Sequence, residues 1–127
     1  MRLVISEREE RGVVILGLNG RLVMGEEVKL LREKIRSLLA GQKKMILLNM
    51  AEVAYVDSSG IGTLVEGVVL TTTEGGRLKL AGLQRMVYSA LALHKLTPAF
   101  QIFNSEEEGL ASFEAAGQTA DHAPERT

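Results

Sequence analysis

The chain has 127 residues with 15 Lys and Arg, 16 Asp and Glu, and a formal net charge of -1. That length holds one domain with a sizeable core but not two, and the even charge balance argues against a dedicated nucleic-acid binder or a polybasic membrane anchor. Cysteine is absent, which excludes disulfides, thiolate metal sites and a Cys nucleophile and permits a reducing cytoplasm, while 4% aromatics without Trp leave the core to Leu, Val, Ile and Ala.

The elements follow from periodicity. Leu3 to Glu7 alternates as a half-buried strand, Glu9-Glu10-Arg11-Gly12 is a turn, and Val13 to Leu18 completes a hairpin before Asn19-Gly20 marks a break. From Glu26 the period lengthens: Val28, Leu31, Ile35 and Leu38 form one face of a helix that stops at Gly41. Met45-Ile46-Leu47-Leu48 reads as a strand covered on both faces. The stretch Ala51 to Val56 reads as an irregular loop that leads into a second helix, with Ile61, Leu64, Val65 and Val68 as its buried stripe and Gly75-Gly76 as its end. Leu78 and Leu80 then alternate with Arg77 and Lys79 in a strand. A third helix carries Met86, Val87, Ala90, Leu91 and Leu93, and Pro98 punctuates its exit. Ala99 to Phe103 is the last strand, and Ser105 caps a final helix through Leu110 and Phe113.

The order β-β-α-β-α-β-α-β-α predicts an α/β domain whose mixed sheet is mostly parallel and packed with helices. Residues 1–117 form that domain. Residues 118–127 contain no large apolar side chain and are expected to be a disordered tail. No apolar run approaches the roughly 18–20 residues of a membrane-spanning helix, and the first residues turn charged too soon for a secretory signal, so a cytoplasmic location is expected.

The segment with chemical potential is Asp57-Ser58-Ser59-Gly60, placed where a helix begins. Backbone N–H groups lack helical partners there, and a Ser or Asp accepts from them as a cap worth about 1 kcal/mol. A phosphate on Ser58 would bring roughly -1.5 to -2 charges to the same place, favoured by the helix dipole and opposed by Asp57. Physics alone favours the cap. The other candidates have structural readings. Gly60-Ile61-Gly62 lacks the third glycine of a dinucleotide loop, and no G-x-x-x-x-G-K-[S/T] occurs. His94 lies late in a helix, where a cation suits the dipole, and His122 is in the tail. Two distant His without Cys argue against a metal site, and no cofactor is expected. Glu106-Glu107-Glu108 reads as a solvated first turn and Thr71-Thr72-Thr73 as a fraying helix end. With no general base, nucleophile pair or phosphate loop, an enzyme is not expected.

Val53-Ala54-Tyr55-Val56-Asp57-Ser58-Ser59-Gly60-Ile61-Gly62 closely resembles the signature of the STAS domain family as found in anti-sigma-factor antagonists. The likeness extends from about Leu3 to Phe113 and includes the Asn19-Gly20-Arg21-Leu22 turn, the Ile46-Leu47-Leu48-Asn49 strand and the run from Ala99 to Leu110. It implies a bacterial, non-enzymatic regulator of transcription that works by partner switching. The unphosphorylated form binds an anti-sigma factor that is also a serine kinase, which frees the sigma factor. Phosphorylation ends the complex, and a metal-dependent serine phosphatase restores it. Ser58 maps onto the phosphoacceptor. Asp57, Ser58, Ser59, Gly60, Ile61 and Gly62 map onto the partner-binding loop, with Gly60 as the small residue that lets the partner approach. Direct nucleic-acid or membrane contact is not implied, and the chain is expected to be a monomer or weak dimer. One position departs from the pattern. Many phosphorylatable members carry Asp after the Gly-x-Leu of the turn that follows the second strand, whereas Gly20-Arg21-Leu22 is followed here by Val23. The alternative is therefore a STAS subunit of a larger signalling or lipid-transport assembly that does not switch partners.

Overall fold

Val13-Val14-Ile15-Leu16 is apolar at every position, and its place in the sheet requires that. The computed structural model describes residues 2–119. Strand β1 (Val4–Glu10) and strand β2 (Val13–Leu22) form an antiparallel hairpin. They turn at Arg11 and Gly12, both with positive φ (55° and 78°), as a two-residue hairpin turn with the sheet's twist demands. Helix α1 (Glu26–Ala40), strand β3 (Met45–Val56), helix α2 (Ser58–Thr73), strand β4 (Arg77–Ala81), helix α3 (Arg85–Leu93), strand β5 (Ile102–Phe103) and helix α4 (Glu106–Thr119) follow in the order expected. The sheet runs β1-β2-β3-β4-β5, with β2 to β5 mutually parallel.

Helices α1, α2 and α3 cover one face of the sheet. Val28, Leu31, Ile35, Ile61, Leu64, Val87 and Leu91 meet Val14, Leu16, Ile46, Leu48 and Leu80 there. Helix α4 covers the other face, where Leu110 and Phe113 close over Val13, Ile15, Leu47 and Ala81. The period-2 alternation of side chains thus sends alternate residues of β2 and β3 into two separate cores. This accounts for the uninterrupted apolar runs in both strands.

Several local expectations are corrected. Asn19-Gly20 does not break β2; the strand continues to Leu22 and absorbs register shifts around Asn19 and Gly20. Gly20 has φ 134°, and a Cβ there would come within 2.2 Å of the Arg2 carbonyl oxygen, so the dipeptide serves a bulge rather than a turn. Ala51 to Val56 is not a loop but the second half of β3, paired with β2. The last strand is only Ile102–Phe103, because Pro98 helps wind Thr97–Ala99 into a 3-10 turn. On α2, Val65 and Val68 are only partly buried. The fully buried face is Gly60, Ile61, Thr63, Leu64, Gly67 and Thr71. The Thr71 hydroxyl donates to the Gly67 and Val68 carbonyls, so a polar residue sits in the core at little cost and the triple Thr is no frayed end. On α3, Met86 and Leu93 are exposed and only Val87 and Leu91 are fully buried. Ser105 does cap α4, accepting from the Glu108 N–H at 3.1 Å. Glu106 is not simply solvated, since it accepts from Arg8 of β1 and from Asn49 of β3. Helix α4 reaches Thr119, two residues past the expected boundary at Gly117; the remainder of the expected tail, residues 120–127, lies outside the described residues.

The largest departure is Lys79, which is 3% exposed rather than on a polar face. Its Nζ donates to Ser112 Oγ at 2.9 Å and lies 4.3 Å from the centre of the Phe113 ring. Burial foremost, helped by the nearby Arg77 charge, pushes its ammonium down to about 8 from 10.5. The sign of the consequence is fixed by linkage. Between about pH 8 and 10.5 the unfolded chain holds this proton and the folded chain does not, so stability rises with pH there; below about 8 both states are protonated and the folded state bears the desolvation cost. Lys79→Met is expected to stabilise the fold at pH 7 by about 1–2 kcal/mol and to remove that rise, because an apolar chain of similar volume needs no desolvated charge. Urea unfolding of both chains at pH 7 and pH 10 checks this; a Met variant less stable than wild type at pH 7 would mean that the ring and hydroxyl contacts outweigh desolvation.

Candidate functional site

The candidate site is built at the junction of β3 and α2. Strand β3 ends at Val56, and Asp57 takes extended geometry (φ -93°, ψ -176°) as the N-cap of α2. Its Oδ1 accepts from the Gly60 N–H at 2.8 Å. Its Oδ2 accepts from the Met24 N–H at 3.0 Å, across from the turn between β2 and α1. Burial pushes the Asp57 carboxyl up, but the backbone N–H groups, Met24 foremost and then Gly60 and Ser59, outweigh it and hold the carboxyl below its ordinary value. The acid is therefore a fixed anion that staples the β2–α1 turn to the start of α2.

Ser58 is the first residue of α2 and is exposed; its hydroxyl makes no hydrogen bond among the described residues. Ser59 is half-buried, with its carbonyl accepting from the Thr63 hydroxyl at 3.0 Å. Gly60 and Ile61 are buried and Gly62 is exposed. The reason for glycine at 60 is internal. A Cβ there would stand 2.2 Å from the Leu22 carbonyl oxygen and 2.7 Å from Val56 Cγ1. Gly60 thus lets α2 approach β2 rather than letting a partner approach, and open space lies instead at Gly62, where a Cβ would meet nothing within 4 Å. Beside the loop is a cavity of about 350 Å³ lined by Ser58, Ile61, Gly62, Val65, His94 and Leu96. Met24, 71% exposed, was not legible as a site residue. Its part comes from its backbone N–H, and no side-chain pattern reports on that.

The STAS domain model matches residues 5–109. The chain belongs to the STAS domain family. The STAS domain is 25% identical over 114 residues to the anti-sigma F factor antagonist of Paenibacillus polymyxa, covering 90% of this chain and 97% of that one. Its fold superposes on the crystal structure of a candidate anti-sigma factor antagonist of Thermotoga maritima with a TM-score of 0.81 at 22% identity, over 87% of this chain and 94% of that one. It also superposes on the phosphorylated form of the Bacillus cell fate determinant SpoIIAA with a TM-score of 0.69 at 21% identity, over 87% and 99% of the two chains. At these identities the structural matches establish the fold.

Within this STAS domain Val23 is half-buried, and its carbonyl accepts from the Val28 N–H at 3.3 Å. It adjoins Met24, so the position that departs from the family pattern lies in the turn that Asp57 staples. Among the described residues no group of three or more His, Cys, Asp or Glu could hold a metal ion, and no helix is long and apolar enough to cross a membrane.

Asp57→Ala is expected to destabilise the STAS domain by about 1–2 kcal/mol at pH 7, since it leaves the Gly60 and Met24 N–H groups without this acceptor. Because the folded value lies below the unfolded one, Asp57 stabilises above the unfolded value, and that contribution is lost as pH falls through the folded value. The gap between wild type and variant should therefore narrow on acidification below about pH 4. Thermal melts at pH 7 and pH 3 measure it; equal stability at pH 7 would show that water replaces the carboxylate without loss.

Proposed function

We propose that this STAS domain is an anti-sigma factor antagonist. It binds an anti-sigma factor that doubles as a serine kinase, and phosphorylation of Ser58 ends the complex. It acts in the cytoplasm as a binding module and catalyses nothing itself, and a serine phosphatase resets it. One observation carries this reading. Ser58 stands exposed on the first turn of α2 with its hydroxyl unengaged among the described residues, while the adjacent Asp57 carboxylate is turned inward onto two backbone N–H groups. A kinase could therefore reach Ser58 without disturbing the cap, and a phosphate there would sit at the positive end of the α2 dipole, which favours an anion. The curated relative, itself an anti-sigma F factor antagonist, supports the partner class.

A second reading, a subunit of a signalling or lipid-transport assembly that does not switch partners, is favoured by Val23. An apolar side chain there can neither accept a hydrogen bond nor orient a seryl group. Incubation with ATP and the cognate kinase, followed by mass spectrometry, separates the two. The first predicts one phosphate on Ser58 in the wild type and in Ser59→Ala, and none in Ser58→Ala. Labelling of Ser58→Ala, or no labelling of the wild type by a kinase that binds it, removes the partner-switching reading.

A further inference from the structure

We infer that His94 is a positioning residue for phosphorylated Ser58, donating from its imidazole to the phosphate across the cavity that the two residues share. The inference rests on phosphorylation of Ser58 as proposed above and adds the group that receives it. His94 ends α3, some 36 residues along the chain from Ser58 and on a different helix, yet both line the same space of about 350 Å³. The other described residues lining it are Ile61, Gly62, Val65 and Leu96, none of which has a polar side-chain atom. The space is an open depression several-fold larger than the roughly 30 Å³ share of one water molecule, so there is room in it for a phosphate. A phosphoserine brings three strong acceptor oxygens. Asp57 cannot serve them, since its carboxylate is an acceptor already held by Gly60 and Met24. Imidazole carries a ring N–H in either protonation state, so His94 can donate whether neutral or charged. His94 is exposed and is the C-cap of α3; its backbone N–H bonds the Ala90 carbonyl, and its ring makes no hydrogen bond among the described residues.

The consequence is a phosphorylated state that is held against α3 rather than projecting freely into solvent. The test uses the full chain with phosphoserine installed at position 58 during translation, so that no cognate kinase is needed. Two readouts are taken. The ring resonances of His94 are compared between the phosphorylated and unphosphorylated chains by NMR. Release of phosphate by a general alkaline phosphatase is timed for wild type and His94→Gln. The expected results are a displaced His94 ring resonance and release about 3- to 10-fold faster from His94→Gln, the range for a solvent-accessible charge-assisted hydrogen bond. An unmoved ring resonance, or equal release from two chains with matching melting curves, overturns the inference and leaves the helix dipole as the phosphate's support. If His94→Gln does not fold, the resonance comparison on the wild-type chain decides alone. A cognate kinase that ignores Ser58 would remove the regulatory reading while leaving this contact measurable, so the two failures are distinct.

Discussion

Gly60→Ala is expected to cost about 3 kcal/mol or more and to lower the melting temperature by roughly 10–15 °C. The added methyl group would lie 2.2 Å from the Leu22 carbonyl oxygen and 2.7 Å from Val56 Cγ1. Neither neighbour can turn aside. Leu22 is backbone at the end of β2, and its carbonyl accepts from the Asp57 N–H at 3.2 Å. Val56 is buried at the end of β3. The clash must therefore be relieved by moving the first turn of α2 outward, which strains the Asp57 cap and opens the core beneath Ile61 and Leu64. Gly62→Ala, two residues on, is the internal control. It is exposed with open space around its missing Cβ, so the same chemical change should stabilise the helix by about 0.5–1 kcal/mol through propensity and unfolded-state entropy. Thermal melts of the two variants beside wild type check both signs. If Gly60→Ala melts with the wild type, α2 does not approach β2 as closely as described.

Ser58→Asp is expected to weaken binding to the anti-sigma partner by about thirty-fold or more while leaving the fold intact. The fold survives because an acid at the first position of a helix suits the dipole, and because Ser58 is exposed with no hydrogen bond to lose among the described residues. Binding suffers because the new carboxylate must be desolvated beside Asp57, an anion that the Met24 and Gly60 N–H groups hold in place. An unpaired charge at an interface costs on the order of 2–5 kcal/mol, a factor of about thirty to several thousand in affinity. The phosphate carries more charge than the Asp, and a hydrogen bond from exposed His94 offsets only part of it, so the phosphorylated chain should also bind more weakly than the unmodified one. Ser58→Ala should bind as wild type does. Titration calorimetry with the partner, with circular dichroism as the fold control, gives the answer. Undiminished affinity in Ser58→Asp would move the assembly-subunit reading ahead.

What these two substitutions test differs in how visible it was. The order of elements, the site of Ser58 at a helix start and a cap supplied by a Ser or Asp of that run follow from local chemistry: a 3.6-residue or two-residue apolar period, a hydroxyl or carboxylate at a helix start, a glycine at a helix end. Those signals act within a few residues of themselves, so the chain shows them directly, and the family likeness of the Val53–Gly62 run adds its expected use. Tertiary structure alone decided the rest. Whether Asn19-Gly20 turns or bulges depends on the strand beside it. Whether α2 buries Val65 or Thr71 depends on how far Gly60 and Gly67 let it sink towards its neighbours. Lys79 entered a core because α4 arrives from the far end of the sequence with Ser112 and Phe113 to receive it. Met24 joined the site through a backbone N–H, and His94 came to share a cavity with Ser58 across 36 residues of chain. Each of these depends on the distance between elements remote in sequence, a quantity set by packing the whole core and carried by no local pattern.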